Sequence, residues 1–448
     1  MTPPRPTPTT FDIFQMTWPM TLKAIMSYGI VVIDAYLVAG LGEEALAAMG
    51  LAGAVGGMMI GILLAFSSAT QIWIAQAFGS GRPIALKTGF YCGMIINIGA
   101  GVLGIIAVAL FGGPVLASFA HSPEIAMDAQ RYLNAFIFVV LGEAIAGGIS
   151  SHFNGCGETK TSFYSHLFAV PINIAVSIVL IHGLYGFPAL GVLGAAIGSA
   201  VSSLLRAGYL GARFFAATGG YLTVAGWMEG TLTASLKRHI KFALPIAATF
   251  ISNSFANTVA TLIYAKLSVN QFAAMTLILP WVNVVGTLAI TWAQATGILV
   301  GQLLGQNQKG AALDEFLRRA WRVSFIASGL VSLIYLGVIL GSTWIYADLQ
   351  AETKAALMSF LPILLILPFP KGSNAICGNT LRAGGETLYV MNLFIAAQWA
   401  FRIPLTAVMI LYLNLSVTWV FSLLLMEELV KFPAFHLRIF KGGWKRGL

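Results

Sequence analysis

ATQIWIAQAFG at 69–79 returns as ATGILVGQLLG at 295–305, an offset of 226 residues. The same offset carries AAM at 47–49 onto AAM at 273–275 and Pro19 onto Pro245. With a slip of two residues it extends to GET at 157–159 and GET at 385–387. Periods of roughly 20 to 50 residues mark solenoids, whereas a period of half the chain in a very apolar protein marks a duplicated membrane bundle. The duplication therefore points to a membrane transport scaffold.

Composition agrees. Apolar residues make up 58% of the chain and charged residues 9%, against about 25% charged in soluble domains. A bilayer core about 30 Å thick needs about 20 apolar residues per helix. Twelve stretches qualify: 17–40, 46–77, 89–112, 130–151, 162–184, 189–214, 240–265, 272–304, 320–346, 354–380, 388–413 and 415–436. The expected fold is an all-α polytopic membrane protein, with twelve transmembrane helices in two six-helix lobes. An even number of spans per copy inserts both copies the same way up, so the lobes are expected to be related by a pseudo-twofold along the membrane normal.

Charge placement tests that list independently. With the N-terminus inside, eighteen of the Lys and Arg residues lie in inner loops and tails, from Arg5, Arg82 and Lys87 to Lys441, Lys445 and Arg446. Only Arg131, Lys266 and Lys354 lie outside. This obeys the positive-inside rule and predicts a multi-pass protein of the inner (plasma) membrane with both termini cytoplasmic. The net charge of +9 is spread over loops facing anionic lipid, with no stripe to follow a phosphate backbone, so nucleic acid is not an expected partner. Membrane lipid and a small-molecule substrate are, and the chain is expected to act as a monomer.

The domain reading is a cytoplasmic tail (1–16), an N-lobe (17–214), a cytoplasmic linker (215–239), a C-lobe (240–436) and a basic cytoplasmic tail (437–448). The N-terminal MTPPRPTPTT lacks the basic region and short apolar core of a signal peptide. Cys92, Cys156 and Cys377 are isolated, with no metal or disulfide spacing. The six histidines show no HxxxH-like spacing, and neither a nucleophile elbow nor a phosphate-binding loop is present. An enzyme is therefore not expected, and no cofactor or metal is implied.

Several stretches together resemble the multidrug and toxic compound extrusion (MATE) transporters. They are Pro19 through Asp34 to ALAAMG at 45–50, AQAFGSG at 75–81, NGCGET at 154–159, GFPALGVLGAAIGSA at 186–200 and LRAGGET at 381–387. The resemblance covers nearly the whole chain and keeps the family's order. It implies a two-lobed fold with a cleft that opens alternately to each side, and export of organic compounds driven by proton or sodium entry. Fifteen residues separate Pro19 from Asp34, the family's spacing between a first-helix proline and its coupling aspartate. A carboxylate in an apolar cleft has its ionised form disfavoured, so Asp34 is suited to loading and releasing a proton. Pro19 removes a backbone hydrogen bond where the helix could bend. The competing reading of Asp34 is a neutral, hydrogen-bonded packing residue.

The rest of the family pattern is partial. Relatives often carry an acid four residues after the position of Asn173, where this chain has Ser177. Sodium-coupled relatives tend to place acids at positions matching Asn253 and Lys371. A sodium site wants oxygen ligands of net negative charge, and an ammonium opposes it. Protons are therefore expected as the coupling ion over sodium. Asn173 is placed to hydrogen-bond near Asp34, or equally to satisfy a neighbouring helix.

The other intramembrane charges are Lys23, Glu143, Arg206, Lys371 and Arg402, with Glu427 and Glu428 expected to reach for the inner surface. Lys23 lies eleven residues before Asp34, about 16 Å along the helix, too far to pair directly. Lys23 and Lys371 are read either as neutralised by Glu143 or another acceptor, or as signs of an anionic or zwitterionic substrate. Tyr28, Tyr36, Trp281 and Trp292 are candidate cavity residues of the kind that suits flat cations, although such residues are more often packed core or lipid-facing. Cationic or amphipathic compounds are the first expectation. A flippase of lipid-linked precursors and an exporter of anionic or zwitterionic metabolites remain as alternatives, with a membrane-embedded enzyme as a distant third. The duplication maps Asp34 onto Ala260 and Lys23 onto Thr249, which puts ion coupling in the N-lobe.

Overall fold

Lipid offers no partner to an unpaired N–H or C=O, so an apolar chain in a bilayer must satisfy its backbone internally, as helices or a closed barrel. A computed structural model of the chain describes residues 7–219, 231–345 and 349–447, and every regular element among them is helical. Residues 1–6 of the N-terminal tail, 220–230 of the linker and Leu448 lie outside the described residues.

The first nine helices are long: α1 (Thr10–Ala39), α2 (Glu43–Gly79), α3 (Pro83–Phe119), α4 (Pro123–Gly155), α5 (Thr159–His182), α6 (Val192–Thr218), α7 (Thr231–Tyr264), α8 (Val269–Gly305) and α9 (Ala311–Ile345). Then come α10 (Ala351–Ser359), α11 (Leu361–Ile366), α12 (Pro368–Ala383), α13 (Thr387–Ile395), α14 (Ile403–Ala407) and α15 (Val417–Phe440). Their ends follow local chemistry. Pro83 and Pro123 open α3 and α4, where a missing N–H costs nothing. Ser122 and Ser268 accept from the exposed N–H groups of Ile125 and Gln271.

Among the described residues ten helical stretches are long and apolar enough to cross a membrane, or eleven counting Ala351–Ile366 and Pro368–Ala383 as one span bent by 46°. Pro362, Pro368 and Pro370 surround that bend. A further span, Thr387–Tyr412, contains two wide π turns, Ala396–Arg402 and Val408–Tyr412, on either side of α14 and Pro404. The remaining expected span corresponds to α15, whose 24 residues suffice in length but include Glu427, Glu428, Lys431 and Arg438.

The chain forms two compact units, and it passes between them inside α1 and α7. One unit is Leu22–Ala247; the other joins the described residues up to Thr21 with Ala248 onward. Both crossing points lie two residues beyond the proline of their helix, Pro19 and Pro245. In the Leu22–Ala247 unit the start of α7 lies on α2: His239 stacks on Trp73 with ring centroids 4.8 Å apart, and Phe242 meets the same ring edge-on. In the other unit Thr21, at the start of α1, shares a 2.6 Å hydroxyl hydrogen bond with Thr291 of α8. The two arrangements correspond under the duplication.

Each unit has its own core. In the first, Val38, Ala52, Tyr132, Leu133, Ile181 and Ala195 are buried together, and Phe90 stacks on Phe214. In the second, Met275, Ile278, Val282 and Tyr335 join the stacked pair Phe360 and Phe421. Lipid supplies no hydrophobic drive between helices, so close packing must hold them. Gly198 shows how tightly: a Cβ there would overlap Ser177 Oγ and stand 3.1 Å from the Asn173 carbonyl. We expect Gly198→Val to separate α5 from α6 at a cost of about 1–3 kcal/mol, seen as a lower melting temperature in detergent.

The basic C-terminal segment is packed. Trp444 is 0% exposed, its indole N–H donates to the Ile439 carbonyl, and Lys445 pairs with Asp314 at 2.6 Å. Beside it Arg438 holds Glu386 of the GET turn in a two-pronged ion pair of 2.6 and 2.7 Å.

Candidate functional site

Asp34, on α1, is 5% exposed. Ser199 Oγ of α6 donates to its Oδ2 at 3.0 Å, and Ser177 Oγ of α5 approaches Oδ1 at 3.5 Å. Asn173, one turn before Ser177, donates from Nδ2 to Ser199 Oγ at 3.0 Å. Asn173 thus reaches Asp34 through Ser199, and its own buried Oδ1 has no partner among the described residues. No basic side chain pairs with Asp34 among those residues. That matters chemically. An Arg or Lys partner would lock the carboxylate in its ionised form, whereas a hydroxyl both donates and accepts, so serines serve either protonation state.

The same unit holds a second polar row. Lys23 Nζ donates to Ser150 Oγ of α4 at 3.3 Å, Ser150 meets Ser162 of α5 at 2.6 Å, Ser162 donates to Asn154 Oδ1, and Asn154 donates to Gln71 Oε1 of α2. Glu143 takes Arg206 as its ion-pair partner. Lys23 lies close enough to be attracted by Glu143 and repelled by Arg206, but its hydrogen bond goes to Ser150. His166 points Nδ1 at the Ser162 carbonyl, so that nitrogen carries the proton.

The Ala248–Leu448 unit concentrates its charges where α12 and α15 meet the π turn before α14. Arg402 pairs with Glu427 at 3.2 Å, Lys431 with Glu427 at 3.1 Å and with Glu428 at 2.9 Å, and Asn374 Nδ2 donates to Glu428 at 2.8 Å. Glu427 and Lys431 are 5% and 2% exposed. This corrects the expectation that Glu427 and Glu428 reach for the inner surface. Two cations, Arg402 and Lys431, compensate the buried Glu427 carboxylate. Lys371 faces a cavity of about 10 Å³, roughly the room one water needs. The cavity is lined by Gly286, Ala289, Val331, Tyr335, Leu367 and Pro368. Lys371 feels Glu428 and Glu427 electrostatically, yet its ammonium makes no hydrogen bond among the described residues.

The remaining candidates are dispersed. Asn253 of α7 accepts from Gln398 Nε2 at 2.9 Å, and one turn on Asn257 accepts from Arg402 at 3.0 Å. Trp292 is buried and donates to the Ala320 carbonyl, which places it in the packing of α8 on α9. Trp281 is half-buried against the core of its unit. Tyr28 is exposed, and Tyr36 is 79% exposed.

The MatE family model matches residues 19–179 and 245–408, one match in each copy of the duplication and together most of the chain. The chain belongs to the MatE family. This is a family of multidrug efflux transporters, so the protein is a multi-pass membrane transporter and not an enzyme. A probable multidrug resistance protein NorM of Bradyrhizobium diazoefficiens is 26% identical over 90% of this chain and 87% of its own length. The uncharacterized transporter YisQ of Bacillus subtilis is 22% identical over 95% of this chain and 93% of its own. An outward-facing MATE family transporter of the MOP superfamily superposes with a TM-score of 0.84 at 17% identity, covering 96% of both chains. The eukaryotic MATE transporter AtDTX14 gives 0.84 at 17% identity over 97% and 96%. These likenesses establish the MATE fold.

Several polar residues of this MatE chain escape a sequence reading. Ser199 looks like one more small packing residue in GAAIGSA. Gln71, Ser150 and Ser162 carry no charge to attract notice. Gln398 and Asn257 each stand four residues from a noted position, Arg402 and Asn253, and that one-turn spacing was the available signal.

Proposed function

We propose that the protein is an antiporter that exports organic compounds by alternating access, driven by proton entry, with Asp34 as the residue that loads the proton. The observation that carries this reading is the setting of Asp34: buried, without a basic partner among the described residues, and held by hydroxyls alone. Ionised, Asp34 accepts from Ser177 and Ser199. Protonated on Oδ2, it must itself donate to Ser199, which then has to turn its hydroxyl elsewhere, for instance back to the carbonyl four residues earlier in its own helix. The bond from α6 to α1 weakens at that step. The chain also changes unit two residues beyond Pro19, which suits α1 to bending there. Lys371, at a position where sodium-coupled relatives tend to carry an acid, supports protons over sodium, because an ammonium repels a bound cation.

The test is transport in proteoliposomes with a pH-reporting dye inside. A proton gradient should drive movement of an organic probe and should itself collapse faster when the probe is present. Equal transport under a sodium gradient with no pH difference would overturn proton coupling.

A further inference from the structure

Counting charges inside each unit shows a remainder of the same sign. Between α1, α4, α5 and α6, Glu143 is matched by Arg206, and Asp34 is held by serines. Lys23 is left with one neutral acceptor, Ser150, at 3.3 Å. An ammonium has three N–H donors. The row beyond Lys23 cannot absorb more of them. Ser162 commits its proton to Asn154 Oδ1, so Ser150 must commit its own to Ser162, and Asn154 commits Nδ2 to Gln71. Every bond runs away from Lys23. Two of its donors therefore have no acceptor among the described residues, and the nearby Arg206 and Glu143, paired with each other, act on it with opposite signs.

The Ala248–Leu448 unit repeats the pattern independently. Lys371, Arg402 and Lys431 face Glu427 and Glu428, and both carboxylates are engaged by Arg402, Lys431 and Asn374. Lys371 is the surplus cation there, with its ammonium unbonded among the described residues. An uncompensated ammonium at membrane depth is costly, and a bound anion removes the cost. A cationic compound would add to it.

We infer that the transported compound is an organic acid or zwitterion whose carboxylate, or a like anionic group, docks on the free donors of Lys23. The inference rests on the transport reading above and names its substrate class. It also places both ends of the exchange on one helix, because α1 carries Asp34 for the proton and Lys23 for the acid, about 16 Å apart along its axis.

The experiment uses the full chain in zwitterionic-lipid proteoliposomes, with carboxyfluorescein as the acid, ethidium as the cation and, in a parallel set, a trace of fluorescent phosphatidylglycerol as the anionic lipid, for wild type, Lys23→Met and Lys23→Arg. Wild type should exchange carboxyfluorescein for protons and move ethidium at least tenfold more slowly. Lys23→Met should raise the KM for carboxyfluorescein at least tenfold, with Lys23→Arg within about threefold of wild type, since charge and donors are kept. Unfolding temperatures of the three proteins establish that the variants fold. Proton-coupled movement of ethidium without carboxyfluorescein overturns the inference and leaves the antiport reading standing. Carboxyfluorescein transport unchanged in folded Lys23→Met removes Lys23 from the site. Flipping of a fluorescent phosphatidylglycerol with no carboxyfluorescein movement makes the anion a lipid headgroup and overturns the soluble-acid assignment. Absence of proton flux with either dye overturns the antiport reading itself, and this inference with it.

Discussion

Asp34→Asn is expected to leave a folded protein that no longer couples transport to protons, with a loss of roughly a hundredfold, equivalent to about 2.7 kcal/mol in the coupled step. The side chain keeps its shape, and its amide oxygen still accepts from Ser199, so packing against α5 and α6 should survive. What disappears is the ability to exist in two charge states. Ser199 and Asn173 then hold one fixed pattern of donors, and α1 has no signal to change its bend. The assay is proton-driven accumulation of the transported compound in vesicles, compared at equal protein content with wild type. Folded protein with undiminished coupling would show that Asp34 is a packing residue.

Glu427→Gln is expected to be the most damaging single change to stability, at about 3–5 kcal/mol. Glu427 accepts from Lys431 and pairs with Arg402, all three nearly devoid of exposure. A neutral amide there leaves two buried cations to share Glu428 and Asn257. Removing a charge on the surplus side should do the reverse, so Lys371→Met is expected to be neutral or mildly stabilising, and Glu427→Gln with Lys431→Met should recover part of the loss. Thermal unfolding in detergent checks all three. Equal melting temperatures for wild type and Glu427→Gln would mean that the network contributes little.

The fold was legible because two signals of long range agreed: the 226-residue offset and the alternation of apolar stretches with basic inner loops. The charged interior was legible only in part. Glu427 and Lys431 stand one helical turn apart, which a reader can see, but Arg402 arrives from another span. Without it Glu427 looks like a residue near a helix end that should seek water. Asp34 announced itself by charge and by its distance from Pro19. Its immediate partner Ser199 did not, because a serine among glycines and alanines also serves close packing, and Gly198 beside it does serve that purpose. Trp292 shows the opposite limit: an aromatic on an apolar helix looks equally like a ligand contact and a packed side chain, and its hydrogen bond to Ala320 depends on which helix lies alongside. The passage of the chain between units beyond Pro19 and Pro245 could not be read from hydropathy, since each helix continues through the crossing without a break.

The most direct measurement is proton release from the purified protein in lightly buffered detergent, on adding the transported compound at a pH where Asp34 is protonated. Competition between proton and substrate predicts release of about one proton per protein from wild type and none from Asp34→Asn. Equal release from both, or none from wild type at saturating compound, would contradict the account.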